Sequence, residues 1–175
     1  AMGWRHVAIL DGGLAAWRAA GHPLASGAEH GEALAPANLP PTRRVRSKAD
    51  MLANLASGAE QVVDARSADR VYGTGTDPVH GLPMGRIPGA LNVPFTEVLN
   101  ADGTYRTPAE IRAAFAAAGV DLDKPIVTTC GSGVTASVLL FALHLAGVDR
   151  TALYDGSWSE WGADPDTPKA QGPEA

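Results

Sequence analysis

The stretch KPIVTTCGSGVTASVLL, residues 124–140, holds the single cysteine of the chain. An apolar, β-branched run leads into Cys130, and an apolar run at helical spacing follows. Between them lie Gly131, Ser132 and Gly133. This pattern places a thiol at the carboxyl end of a strand, where a bend feeds a helix. Residues of little bulk let the backbone curl so that several N–H groups point inward, and the helix start adds the positive end of its dipole. Such a loop favours an anion, either a thiolate on Cys130 or a group held against the amides of Gly131, Gly133, Val134 and Thr135. Free cysteine is among the most buried residue types, so a plain core position competes with this reading. A core cysteine, however, has no need of a Gly-Ser-Gly bend and a helix start beside it.

A thiolate ringed by amides can attack phosphorus or sulfur. Cysteine-dependent phosphoryl transfer on a C-x5-R loop uses an arginine at the sixth position after the cysteine to clamp the phosphoryl oxygens. Here that position is Ala136, so the bidentate clamp is missing. A tight cradle suits one extra sulfur atom on Cys130, a persulfide whose terminal sulfur sits among the amides.

The elements that must position this loop are legible from punctuation. Ser47 with Asp50 three residues on is a capping-box pattern for a helix over SKADMLANLA. QVVDARS (61–67) and ALNVPF (90–95) read as short strands, the second after a Pro-Gly turn. TPAEIRAAFAAAGV (107–120) carries Thr107 as cap, Pro108 in the first turn, Glu110 closing the box and Gly119 as stop. KPIVTT (124–129) is a buried strand type. Residues 134–146 form a helix with Val134, Val138, Leu139, Phe141 and Leu145 expected inward, and TALYD (151–155) is the last strand. Strands alternating with helices predict an α/β domain with a mostly parallel sheet.

The first 17 residues align with residues 145–161 at an offset of 144, with Gly3/Gly147, Ala8/Ala152, Asp11/Asp155, Gly12/Gly156 and Trp17/Trp161 identical. Both stretches read as a Gly stop, a short strand, an Asp-Gly turn and a Trp-bearing helix, so the first is expected to be the tail of an earlier copy of the domain. Ile9, Leu10, Leu14 and Trp17 would then need another surface to cover them. The expected division is a remnant over 1–23, a Pro/Gly/Ala-rich linker over 24–44, the complete domain over 45–163 and a flexible tail over 164–175.

Composition excludes little but points one way. The chain of 175 residues is 45% apolar and 19% charged with net charge −5. No apolar run is long enough for a bilayer span, and an acidic chain is not expected to bind nucleic acid. Its basic cluster, Arg43, Arg44, Arg46 and Lys48, reads as a solvated approach to a helix. One cysteine excludes an intrachain disulfide, and His6, His22, His30, His80 and His144 lack metal-ligand spacing, so no metal and no cofactor are expected. A lone thiol fits a reducing compartment, and a cytoplasmic location is the expectation.

Together, CGSGVTAS, DARSADRVYGT, GRIPGALNVPF and LYDGSWSEWG resemble the C-terminal, catalytic domain of the tandem rhodaneses, in family order over residues 45 to about 163. The resemblance implies a five-stranded parallel sheet flanked by helices on both faces. It implies a sulfurtransferase in which Cys130 takes a sulfane sulfur from a small anionic donor and passes it to cyanide, a thiol or thioredoxin. The Gly131-Ser132 pair is similar to the mercaptopyruvate branch of the family, whereas the thiosulfate branch carries C-R-K-G-V-T. Ser132 matches a serine proposed to relay a proton, and Arg70 matches an arginine that binds the donor's carboxylate. Asp64 and Arg66 are expected to be structural.

The chain departs from the family pattern at two positions. Val79 stands where the mercaptopyruvate branch has a second arginine, leaving His80 as its substitute, and Arg86 replaces a histidine, either adding positive potential at the mouth or lying exposed in a loop. The resemblance also implies a partner, an N-terminal rhodanese domain in the same or a separate chain, that covers the active loop. A thiosulfate:cyanide sulfurtransferase, a non-catalytic interaction module and a phosphatase-like use of the scaffold are the alternatives.

Overall fold

The structure is a computed structural model that describes residues 8–28 and 44–172. Five short strands run parallel: β1 (Val45–Arg46), β2 (Gln61–Asp64), β3 (Leu91–Asn92), β4 (Ile126–Thr129) and β5 (Thr151–Tyr154), in the order β1-β5-β4-β2-β3. The register aligns Asp64 with Thr129 and with Asn92, so the carboxyl ends of β2, β3 and β4 finish level. This is the parallel sheet expected from the sequence. β1 is an addition, since no strand was expected at 45–46. β3 is shorter than the expected 90–95, because the chain turns at Phe95 into a 3-10 helix (Phe95–Val98).

Alternation along the strands divides the core in two. Val63, Ile126 and Leu153 face one side, under α4 (Pro108–Ala117) and α5 (Val134–Leu145). Val62, Val127, Ala152 and Tyr154 face the other, under Met51 of α2 (Lys48–Ser57) and Trp158 and Trp161 of α6 (Ser157–Trp161). Both expected capping boxes form: Ser47 with Asp50 opens α2, and Thr107 with Glu110 opens α4. Each satisfies backbone donors that the first helical turn otherwise leaves without partners. The remaining helices are the short α1 (Gly13–Ala19) and α3 (Ala68–Tyr72).

The expected inner face of α5 is corrected. Its buried residues are Ala136, Leu139, Ala142 and Leu143, whereas Val134 is 69% exposed and Leu145 is 39% exposed. The helix is apolar almost all round, so periodicity does not define a face. The small Ala136 and Ala142 lie inward, and Val134 is left at the rim of the cysteine loop.

The expected flexible tail is also corrected over residues 164–172. Thr167 is buried and donates to the Trp161 carbonyl, the Trp161 indole donates to Pro168 O, and Ala170 pairs with Arg86 through two backbone hydrogen bonds. Few of these contacts are apolar, which is why composition alone reads the segment as loose.

The N-terminal segment repeats the C-terminal one in detail. Gly13 and Ser157, equivalent at the offset of 144, both adopt left-handed backbone, φ 60° and 50°. Trp17 donates to Pro23 O as Trp161 donates to Pro168 O. Ile9, Leu10 and Leu14 are each more than half exposed. Among the described residues the segment's one polar tie to the domain is the Tyr105 N–H donating to Asp11. Residues 1–7 and most of the expected linker, 29–43, lie outside the described residues, as do Arg43, His6 and His30.

Leu139 is fully buried in the core beneath β4. Leu139→Ala is expected to lower unfolding free energy by about 2–5 kcal/mol, read as a shift in the urea midpoint at constant m-value.

Candidate functional site

Cys130 follows β4 directly and its side chain belongs to the core, 1% exposed. The thiol therefore sits in the core, and the bend at residues 131–133 follows it directly. The first helical bond of α5 runs from Ser137 N to Gly133 O. Before it, the six N–H groups of Gly131 to Ala136 have no acceptor among the described residues. Three of them belong to the opening turn of α5, where unpaired donors are inherent, and three to the bend. Such a run of free amides makes a nest that stabilises negative charge.

The outside of the loop is clamped. Trp158 N donates to Cys130 O at 2.9 Å, and Ser159 N and Oγ donate to Gly131 O at 2.8 and 2.7 Å. The Cys130 N–H donates to Ser157 Oγ, which itself donates to Tyr154 O. Ser157 is the one non-glycine with left-handed backbone among the described residues, a strain typical of functional loops. These three residues were not singled out from the sequence. The signal that could find them is LYDGSWSEWG itself, whose Asp-Gly turn places two serines and an indole against the cysteine loop.

Two glycines are required by what lies against them. Gly133 has φ 83°, and a Cβ there would stand 2.6 Å from Asp155 Oδ1 and 2.9 Å from Asp155 O. A Cβ at Gly131 would run into Nε2 of His80. The structure thus brings His80, from a loop distant in sequence, onto the cysteine loop. Thr135 is half-buried in the first turn of α5, while Ser132 and Val134 are exposed at its rim, and no hydrogen bond among the described residues engages the Ser132 hydroxyl.

The end of β2 supplies the surrounding charge. Arg66 is 1% exposed on its side chain, forms a two-point pair with Asp64, donates to Gly85 O and stacks 4.6 Å above the Trp158 ring. Asp64 and Arg66, expected to be structural, form a buried pair. Asp77, fully buried, receives two-point hydrogen bonds from Arg70 and lies 3.7 Å from Arg66 Nη1. Burial raises the Asp77 carboxyl, but the Arg70 hydrogen bond, the Val79 N–H and the charges of Arg70 and Arg66 outweigh it and leave it below its ordinary value. Arg70 keeps Nη1 unengaged, at 15% side-chain exposure. Two guanidiniums thus meet two carboxylates, and the quartet is close to neutral.

Arg86, expected at the mouth or exposed in a loop, is 5% exposed. Its Nη1 donates to Gly172 O and its guanidinium stands over the Tyr72 ring. It fastens residues 170–172 to the sheet edge, which its position in a Pro-Gly turn does not reveal. Among the described residues no group of three or more His, Cys, Asp or Glu side chains is arranged for a metal ion.

The family description "rhodanese-like domain" matches residues 47–164. The chain is 44% identical over 162 residues to 3-mercaptopyruvate sulfurtransferase of Mus musculus, covering 92% of this chain and 54% of that protein. It is 44% identical to the enzyme of that name from Escherichia coli K12, covering 95% and 59%, and 40% identical to thiosulfate sulfurtransferase of Mus musculus, covering 97% and 58%. The crystal structure of the Escherichia coli 3-mercaptopyruvate sulfotransferase superposes with TM-score 0.75 at 42% identity, over 91% of this chain and 59% of that one. EanB, in a persulfide state with ergothioneine, superposes with TM-score 0.81 at 28% identity, over 94% and 41%. The chain spans a little over half the length of these curated relatives.

Two substitutions test the bracing. Ser157→Ala leaves the buried Cys130 N–H without its acceptor and is expected to lower stability by about 1–3 kcal/mol, measured by denaturant unfolding. Asp77→Asn removes one partner of a buried ion-pair network, an expected loss of about 3 kcal/mol at neutral pH. Because the folded-state carboxyl lies below its ordinary value of 3.8, the parent holds this stabilisation above that pH and loses it as pH falls further. The gap between parent and Asp77→Asn should therefore narrow in acid, read from unfolding midpoints at pH 7 and pH 3.

Proposed function

The chain belongs to the rhodanese-like domain family, and from that membership we propose that it is the sulfur-carrying part of a two-domain sulfurtransferase, loading Cys130 from 3-mercaptopyruvate. The observation that carries the reading is the run of six amides, Gly131 to Ala136, unengaged among the described residues and directly following a buried cysteine. A persulfide places its outer sulfur about 2.05 Å beyond Sγ. That sulfur, charged after transfer, is the anion the cradle is built to hold.

The chemistry proceeds in two displacements. The Cys130 thiolate attacks the donor's sulfur, the S–S bond forms and the donor's C–S bond breaks. Its electron pair leaves as the enolate of pyruvate, which takes up the proton of the donor's thiol. A thiophile such as cyanide, a thiol or thioredoxin then attacks the outer sulfur, and the S–S pair returns to Cys130 as thiolate. Arg70 offers Nη1 to the donor's carboxylate, and the Ser132 hydroxyl, at the rim, relays the proton.

Charge favours the carboxylate donor over thiosulfate. Asp64, Arg66, Arg70 and Asp77 nearly cancel, so the site's positive potential comes mainly from amide dipoles. These suit a monoanion, whereas thiosulfate brings two charges. The exposed rim of Ser132, Val134 and Val79 is the surface an N-terminal domain would cover, and the repeat at Gly12–Trp17 is the end of such a domain. No helix among the described residues is long and apolar enough to cross a membrane.

Intact mass after incubation with 3-mercaptopyruvate is expected to show a gain of one sulfur atom that cyanide removes, and Cys130→Ser should show none. kcat/KM for 3-mercaptopyruvate should exceed that for thiosulfate by at least about tenfold. A parent that gains sulfur from neither donor overturns the reading.

A further inference from the structure

The two peptide units that follow Cys130 are held from one side. The Cys130 carbonyl accepts from Trp158 N at 2.9 Å. The Gly131 carbonyl accepts from Ser159 N at 2.8 Å and again from Ser159 Oγ at 2.7 Å. Both carbonyls therefore face the first turn of α6, and no peptide bond among the described residues is cis. In a trans peptide the N–H lies opposite its own C=O. Holding Cys130 O toward α6 turns Gly131 N–H away from that helix, and holding Gly131 O does the same to Ser132 N–H. The first carbonyl has one donor. The second has two, and the additional one is a side chain. Ser159 N alone would satisfy Gly131 O, as Trp158 N satisfies Cys130 O, so the hydroxyl is surplus to pairing the carbonyl. Ser159 is exposed, and its Oγ makes no other hydrogen bond among the described residues.

We propose that Ser159 is a positioning residue for the anion on Cys130: its hydroxyl, the second donor on Gly131 O, fixes the plane of the 131–132 peptide so that Ser132 N–H is presented to that anion. The inference rests on the sulfurtransferase reading above and deepens it. Glycine at 131 leaves this peptide plane easy to flip, and the His80 ring occupies the space that a restraining side chain would need. Two donors converging on one oxygen resist the flip more than one does. A carbonyl that accepts two hydrogen bonds is also more polarised, which strengthens the N–H of the same peptide as a donor. Ser159 thus acts through the backbone, with its own hydroxyl spent on a carbonyl.

Titration of the thiol in the whole chain tests this, and the single cysteine makes the signal specific. The ultraviolet absorbance of the thiolate is followed against pH, with Cys130→Ser as the blank. Ser159→Ala keeps the backbone N–H on Gly131 O and is expected to unfold at the parent's urea midpoint. It should nevertheless raise the midpoint of thiol ionisation by about half a pH unit and slow sulfur uptake from 3-mercaptopyruvate at pH 7 about threefold. Ser159→Thr, which keeps the hydroxyl, should return both values to those of the parent. The titratable and charged neighbours are His80 beside Gly131, Asp155 beside Gly133, Glu160 beside Gly156 and the Asp64–Arg66 pair against Trp158. All are the same in the parent and both variants, so the shift reads the peptide. An unmoved ionisation midpoint in Ser159→Ala, or the same shift in Ser159→Thr, would each overturn the proposal. The titration uses no sulfur donor. If the parent takes up no sulfur, the failure lies with the sulfurtransferase reading, and the titration still decides on Ser159. If the parent loads normally and Ser159→Ala titrates with it, the failure lies with Ser159 alone.

Discussion

Six consecutive amides, Gly131 to Ala136, have no acceptor among the described residues, so the loop that carries them must be held through its other groups, and much of the structure around the site serves that need. The carbonyls of Cys130 and Gly131 are received by Trp158 and Ser159 at the start of α6. The Cys130 N–H, which does not join the nest, is received by Ser157. Unengaged buried backbone is expensive, so the free amides are tolerable only where an anion or solvent can meet them. The loop is thus bonded through its carbonyls and the Cys130 N–H, while the six amides that follow stay unengaged among the described residues.

The same α6 segment joins the loop to the charged network. Trp158 packs beneath Arg66, gives its indole N–H to Pro83 and its backbone N–H to Cys130. Arg66 in turn ties the end of β2 to Gly85. Parallel strands finishing level at Asp64 and Thr129 bring these groups to one edge, where ligand sites of open α/β sheets lie. Asp77 then divides its bonds between the Arg70 guanidinium and a turn that carries His80. Electrostatics here fix geometry more than they supply net charge, as the near cancellation among the four ionised groups indicates.

Much of this was legible from the chain alone. The two capping boxes, the Gly119 stop, the strand leading to Cys130 and the Gly-Ser-Gly bend are local signals, set by backbone sterics and by which side chains reach their own helix start. The repeat at an offset of 144 was visible as five identities, and its structural counterpart is the matched left-handed pair Gly13 and Ser157. The pairing of Asp64 with Arg66 was legible because a strand-end D-x-R brings the two side chains together.

What the sequence by itself determined, then, was the alternation of strands and helices, the parallel sheet and a lone thiol at the one bend rich enough in glycine to gather amides. Tertiary structure alone decided which face of α5 is inward, because an all-apolar helix has no preferred side until a sheet is placed beneath it. It decided that residues 164–172 are fastened, because their hydrogen bonds and the burial of Arg86 join parts of the chain some 80 residues apart. It also decided that His80 meets Gly131. That contact leaves no trace in spacing or composition, since it depends on two loops reaching the same strand ends, and only a folded sheet brings those ends together.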